Sequence, residues 1–128
     1  MIISLPIEDR PRSYAFYQQA LDLAPVGDEL GPDGIPEPLQ FRLADDVTMM
    51  LIPTGGFGWV LGKQPAAAPG QSECILGLRV DSEEAVDAAA ARAAAAGAVQ
   101  VTAPTREPWA YLTTFTDPDG HLWMVSTA

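Results

Sequence analysis

The sequence predicts an α+β fold of two βαβββ repeats, whose strands form one curved mixed sheet around a cleft, with the helices on the convex face. Two observations predict it. Strand-like and helix-like runs follow one another in the order strand, helix, three strands, and this order occurs twice in the 128 residues. The two halves also align with each other, which is typical of a duplicated unit. A chain of this length suits a single compact domain.

The first predicted unit covers residues 1–53. Its opening apolar run at 2–7 is β-branched enough for a strand, and Pro11 suits the first turn of the helix that follows. Aromatic and aliphatic residues recur on one side of this helix and predict a stripe that faces the core. The stripe consists of Tyr14, Tyr17 and Leu21, flanked by Phe16 and Ala20.

Two strand-like runs complete the first unit. Residues 39–44 and 48–53 are separated by a short polar segment, which predicts a hairpin. Residues 24–38 before them contain so many glycines and prolines that at most one short edge strand fits. Residues 54–72 after them have the same composition, and we expect a linker loop without a regular element.

The second predicted unit covers residues 73–128. It starts with a strand at 74–80, and Asp81 with Glu84 has the spacing of a capping box at the start of an alanine-rich helix. Gly97 is a natural stop for that helix. The three strands that follow are predicted at 99–103, 112–116 and 122–126.

The two units match in register. When the first unit is aligned on the second, Leu5 lies over Leu78, and a shift by one further position places Phe41 over Phe115. The same two alignments put Ile2 opposite Ile75 and Met50 opposite Met124. Because side chains alternate along a strand, Met124 and its neighbour Trp123 must face opposite sides, and we expect Met124 to face the cleft.

Charge and composition exclude several classes of partner. The net charge of −10 and the pI near 4.2 repel nucleic acid and anionic membranes, whereas they attract a cationic small molecule. Cys74 is the only cysteine, so the chain has no internal disulfide and no cysteine cluster for zinc. No apolar run is long enough to span a bilayer, and the start lacks the pattern of a signal peptide, which predicts a soluble cytoplasmic protein.

Two segments, SYAFY in the first helix and DPDGHLW before the last strand, resemble the vicinal oxygen chelate superfamily when taken with the repeat. That superfamily includes glyoxalases, extradiol dioxygenases, bleomycin-resistance proteins and fosfomycin-resistance enzymes, and the resemblance covers nearly the whole chain. It implies a cleft in which metal-dependent members hold a divalent ion on about four ligands. It also implies a homodimer, because members of the superfamily commonly dimerise.

The resemblance places the four metal-ligand positions at Ile2, Met50, Ile75 and Met124. None of these side chains is an imidazole or carboxylate, the groups that hold such ions. The sequence therefore predicts no metal, no cofactor and no catalytic residue, and it favours a protein that is not an enzyme. His121, in the turn formed by Asp117, Asp119 and Gly120, is interpreted as a turn residue rather than a base.

A metal-free cleft lined by aliphatic and thioether side chains suits a hydrophobic or aromatic ligand, including a cationic one. We expect Ser4 and Thr48 to supply hydrogen bonds there, and Arg79 would favour an anionic group instead if it faces inward. Trp59 on the glycine-rich loop is a candidate stacking lid, as are Trp109 and Tyr111. The predicted ligand-binding residues are Ile2, Ser4, Thr48, Met50, Trp59, Ile75, Trp109, Tyr111 and Met124.

The favoured function is thus binding or sequestration of a small ligand. Two alternatives stay open: a glyoxalase- or dioxygenase-like enzyme with an atypical site, and a degenerate copy that acts as an interaction module. Stoichiometric metal would distinguish the first alternative, and a hollow filled by side chains would distinguish the second.

Overall fold

The computed structural model describes residues 1–127 and contains seven strands and three helices in that range. The chain divides into two compact units, which together with the mixed strand pairing confirm the α+β class. Each unit holds one sheet, of three strands in the first and four in the second. None of the helices in residues 1–127 is long and apolar enough to cross a membrane.

The first sheet has the strand order β1-β3-β2. The chain forms β1 (Ile2–Ile7), α1 (Arg10–Leu21), β2 (Leu39–Ala44) and β3 (Val47–Pro53). β1 lies parallel to β3, and β2 and β3 form the predicted antiparallel hairpin. The edge strand allowed for residues 24–38 is reduced to two isolated bridges, Pro25 with Phe41 and Leu30 with Pro36, since the prolines there cannot donate ladder hydrogen bonds.

The second sheet has the order β4-β7-β6-β5. Its elements are β4 (Leu76–Arg79), α3 (Glu83–Ala95), β5 (Val99–Glu107), β6 (Ala110–Thr116) and β7 (Leu122–Ser126). β4 is parallel to β7, and the other pairs are antiparallel. β7 has the predicted bounds, whereas β5 ends four residues later than predicted and β6 starts two residues earlier than predicted.

The strand register repeats between the two sheets. Ser4 of β1 pairs with Met50 of β3, and Gly77 of β4 pairs with Met124 of β7. Ser4 and Gly77 are related by the alignment that places Leu5 over Leu78, and the two methionines by the alignment shifted one position further. The duplication read from the sequence is therefore present in the hydrogen-bonded pairs.

One prediction in this region is wrong. Residues 54–72 do not lack regular structure, because Thr54–Leu61 form a helix, α2, which lies beside β1 and β3. Its first residues include Gly55, Gly56 and Gly58, each a poor helix former, and none of residues 54–61 is buried. The eight residues between Pro53 and Gly62 contain no proline, so they can form two helical turns despite those glycines.

The capping box predicted for α3 is also wrong. Ser82, not Asp81, is the N-cap, and its hydroxyl accepts a hydrogen bond from the backbone N–H of Ala85 at 3.1 Å. Glu84 therefore lies inside the first turn, where its charge favours the helix dipole. The stop at Gly97 is confirmed, since its φ of +101° is in the left-handed region that ends many helices.

The helices cover one side of their sheets. In the first unit α1 buries Phe16 and Tyr17, and the Tyr17 ring packs 5.7 Å from that of Phe41 in β2. Leu21, at the end of α1, is also buried. Tyr14 of the predicted stripe is only half-buried. In the second unit the covered side of the sheet and α3 bury a larger set, namely Leu76, Val86, Ala89, Ala93, Phe115, Trp123 and Val125.

Candidate functional site

The uncovered side of the first sheet is called the Met50 face. Alternation along the strands puts it opposite the buried Leu5, Met49 and Leu51. It consists of Ile2, Ser4 and Pro6 from β1, Thr48, Met50 and Ile52 from β3, and Gln40 and Arg42 from β2.

The middle row of the Met50 face runs from Ser4 through Met50 to Gln40. Met50 is half-buried and Ser4 is exposed. Ile2 pairs with Thr48 one row away, and 60% of its surface is exposed. The predicted ligand-binding residues Ile2, Ser4, Thr48 and Met50 therefore share one face.

The corresponding side of the second sheet is called the Met124 face. It consists of Gly77 and Arg79 from β4, Met124 and Ser126 from β7, and Leu112 and Thr114 from β6. Its middle row runs from Gly77 through Met124 to Thr114. A side chain at Gly77 would begin 3.8 Å from the Met124 methyl group, so the missing side chain leaves the thioether beside bare backbone.

Other predicted site residues lie elsewhere. Ile75 precedes β4 and is 56% exposed. Trp59 on α2 and Trp109 in the β5–β6 turn are also exposed, at 84% and 64%. Trp123 is fully buried on the opposite side of β7 from Met124, as the alternation predicts.

Tyr111 does not belong to the Met124 face. Its hydroxyl donates a hydrogen bond of 2.7 Å to Oδ1 of Asp87 on α3, so the ring points to the covered side of the sheet. This hydrogen bond raises the pKa of Tyr111. Arg106 lies 5.5 Å from the centre of the same ring and forms an ion pair with Glu83. Tyr111 lies there because side chains alternate along a strand. Leu112 belongs to the Met124 face, so Tyr111 shares the opposite side with Thr113 and Phe115.

Three members of the two rows were not among the predicted ligand-binding residues: Gln40, Gly77 and Thr114. A signal for Gly77 was available, since the alignment of Leu5 with Leu78 also carries Ser4 onto Gly77. Gln40 and Thr114 belong to the rows because they lie opposite Met50 and Met124 in the antiparallel neighbouring strands. The sequence alone did not specify this strand register.

The acidic residues before β7 form the turn rather than a site. Asp117 is buried, and its Oδ1 accepts hydrogen bonds from the backbone N–H groups of Asp119 at 2.9 Å and His121 at 2.8 Å. Gly120 has a φ of +89°, and a side chain there would begin 3.1 Å from the backbone nitrogen of Gly70. The turn interpretation is therefore confirmed for this segment.

The half-buried cation Arg10 organises the segment between α1 and β2. The Arg10 side chain is 14% exposed, and its Nη2 donates to the carbonyl oxygens of Ile35 at 3.2 Å and Pro36 at 3.0 Å. Its Nε donates to Asp33 at 2.9 Å, and Nη1 lies 3.0 Å from Glu37 as an ion pair without hydrogen-bond geometry. Asp33 raises the pKa of Arg10, and Arg10 lowers the pKa of Asp33. These contacts hold a loop and supply no reacting group.

A family model of the Glyoxalase/Bleomycin resistance protein/Dioxygenase superfamily matches residues 2–125. The chain belongs to this superfamily. No curated protein matches the chain.

Several solved structures of the superfamily fold are similar over the whole chain. The hypothetical protein SA1046 from S. aureus superposes with a TM-score of 0.83 at 25% identity, covering 100% of this chain and 92% of its own. A glyoxalase-related enzyme from Fulvimarina pelagi has a TM-score of 0.83 at 23% identity, covering 99% and 86%. TnmS3, an antibiotic binding protein from a Streptomyces species, has a TM-score of 0.67 at 26% identity, covering 98% and 92%.

The superfamily implies a divalent ion, and the residues present do not fit one. The polar groups of the two middle rows are the hydroxyls of Ser4 and Thr114 and the amide of Gln40, and they lie beside the thioethers of Met50 and Met124. Such ions need imidazole or carboxylate ligands instead. Within residues 1–127 no three His, Cys, Asp or Glu side chains are grouped closely enough to hold a metal.

Proposed function

We propose that this superfamily member binds a small hydrophobic or aromatic molecule on the Met50 face, the Met124 face or both, and holds it without a metal ion. The observation that carries the proposal is the composition of the middle rows, in which a half-buried methionine lies between small or uncharged polar residues. Thioether side chains adapt to irregular apolar shapes, and the hydroxyl and amide groups beside them orient a ligand.

Relatives support a binding function. TnmS3, which is 26% identical to this chain, is an antibiotic binding protein. Trp59 in the first unit and Trp109 in the second are exposed aromatic side chains, and we propose that each packs against a molecule bound in its own unit.

Calorimetric titration with a panel of aromatic compounds tests this proposal. We expect saturable binding of at least one compound, and about tenfold weaker binding after Met50→Ala or Met124→Ala, because each change removes apolar contact area worth about 1.5 kcal/mol. Leu30→Ala is the control, since it removes a similar apolar side chain that is 63% exposed in the loop before β2. Equal affinities for all variants would place the ligand elsewhere.

The same preparation distinguishes the alternatives. Nickel, zinc, iron or manganese retained at one ion per chain through dialysis would contradict metal-free binding and favour an enzyme. Failure of every compound to bind would contradict the ligand-binding function and favour an interaction module.

We also propose that the chain forms a homodimer. Apolar side chains on the edge strand β5 support it, since Val99 and Val101 are 65% and 58% exposed. Exposed edges that carry apolar residues are usually covered in native proteins. Light scattering after size exclusion should give twice the chain mass of 13.6 kDa, and a monomer at micromolar concentration would contradict the proposal.

A further inference from the structure

The charge carried by the sheets differs in sign from the charge of the whole chain. The sequence has 17 acidic and 7 basic residues. Across the seven strands within residues 1–127 the only acidic residue is Glu107, the last residue of β5, whereas three arginines lie in strands. The acidic groups are therefore concentrated in helices, turns and loops.

The three strand arginines have different surroundings. Arg106 forms an ion pair with Glu83 on the side of the sheet that α3 covers. Arg42 lies on the Met50 face and donates to the carbonyl oxygen of Asp45 at 3.2 Å. Arg79 lies on the Met124 face and is exposed, and no hydrogen bond or ion pair joins its guanidinium to any residue from 1 to 127.

Arg79 lies close to the proposed binding row. It is two residues from Gly77 on the same side of β4, which places the two Cα atoms roughly 7 Å apart. Its neighbour on β7 is Ser126, and the hydroxyl of Thr114 belongs to the same face. The acidic residues nearest along the chain, Glu73 and Asp81, lie beyond both ends of β4.

We infer that the ligand of the Met124 face carries an anionic group, such as a carboxylate or an acidic phenolate, and that Arg79 binds this group while the aromatic body lies against Met124 and Gly77. This inference rests on the proposed function and names its ligand class. The net charge of −10 led us to expect a cationic ligand, whereas this inference predicts an anionic one. Salt screens exposed charges beyond about 10 Å at 0.1 M, so the charges in contact with the ligand determine its preference.

Three compounds with the same ring system and different charges test the inference: 2-naphthoate, 2-naphthalenemethanol and 2-naphthylmethylammonium. In calorimetry at about 0.1 M salt, where the distant acidic groups are screened, naphthoate should bind about tenfold more tightly than the alcohol, because a hydrogen bond to a charged group is stronger than one between neutral groups. Arg79→Gln should remove this advantage and leave the affinity for the alcohol unchanged.

Arg92→Gln is the matched control, since it removes the same charge from the exposed last turn of α3 and should alter none of the three affinities. Equal affinities for the three compounds, tighter binding of the ammonium, or an unchanged preference in Arg79→Gln would overturn the inference while leaving the proposed function intact. Failure of all three compounds and of the wider aromatic panel to bind would overturn both.

Discussion

Trp123→Ala should lower the free energy of unfolding by about 4 kcal/mol, the largest stability effect expected for one substitution in this chain. Trp123 is fully buried on the covered side of β7, where it pairs with Leu76 and Phe115 in the neighbouring strands. Removing the indole loses its apolar burial and leaves a cavity that close-packed neighbours fill only in part. Urea unfolding followed by circular dichroism measures the loss.

The next residue in the strand provides the control. Met124→Ala should cost only about 1 kcal/mol, because Met124 is half-buried on the opposite face. Trp123→Phe, which keeps most of the ring volume, should lose less than Trp123→Ala and provides a graded variant if the alanine variant does not fold. Equal losses for Trp123→Ala and Met124→Ala would contradict the assignment of the two faces.

Arg10→Met should lower the free energy of unfolding by about 3 kcal/mol. Methionine keeps the apolar stem of Arg10 but cannot donate to the carbonyl oxygens of Ile35 and Pro36 or to Asp33. Arg12→Met, an exposed arginine on the same helix, should change stability by less than about 1 kcal/mol. In a double-mutant cycle, Arg10→Met and Asp33→Asn should be non-additive, and additive losses would contradict the contact.

The same contact makes stability depend on pH. The hydrogen bond from Arg10, followed by one from the backbone N–H of Ile35, lowers the pKa of Asp33 in the folded state. The stabilisation is therefore complete above the unfolded value of about 3.9 and is lost as the pH falls through the lower folded value. Unfolding measured between pH 6 and pH 2 should show a smaller acid loss in Asp33→Asn, and identical profiles would contradict this.

Most of the fold was predictable because its strongest signals are local. The alternation of apolar residues defined β7 at its observed bounds, and the glycine at 97 ended α3 as expected. The start of α3 was misplaced by one residue because Asp81 and Ser82 are both good caps and only the backbone conformation chooses between them. α2 was missed since its glycines argue against a helix on intrinsic preference, although the chain forms two helical turns at Thr54–Leu61.

The candidate site was predictable only in part. Its methionines followed from the repeat, but their partners across the sheet depend on hydrogen-bonded register between distant segments. Gln40 and Thr114 therefore could not be identified. Tyr111, another predicted ligand-binding residue, lies on the opposite side of β6 from the Met124 face. Side chains alternate along a strand, so Tyr111 shares the covered side with the buried Phe115. β6 starts at Ala110, two residues before the predicted start, and this places Tyr111 within the strand.

Gly120 lacks a side chain where the backbone of Gly70 comes close, since a side chain at position 120 would begin 3.1 Å from the Gly70 nitrogen. Gly70 lies upstream of β4 and Gly120 in the turn that leads into β7, and these two strands are neighbours. A methyl group at position 120 would require the Gly70 backbone to give way by a few tenths of an ångström, and the φ of +89° at Gly120 would add strain. The contact between the segment before β4 and the turn before β7 therefore depends on glycine at position 120.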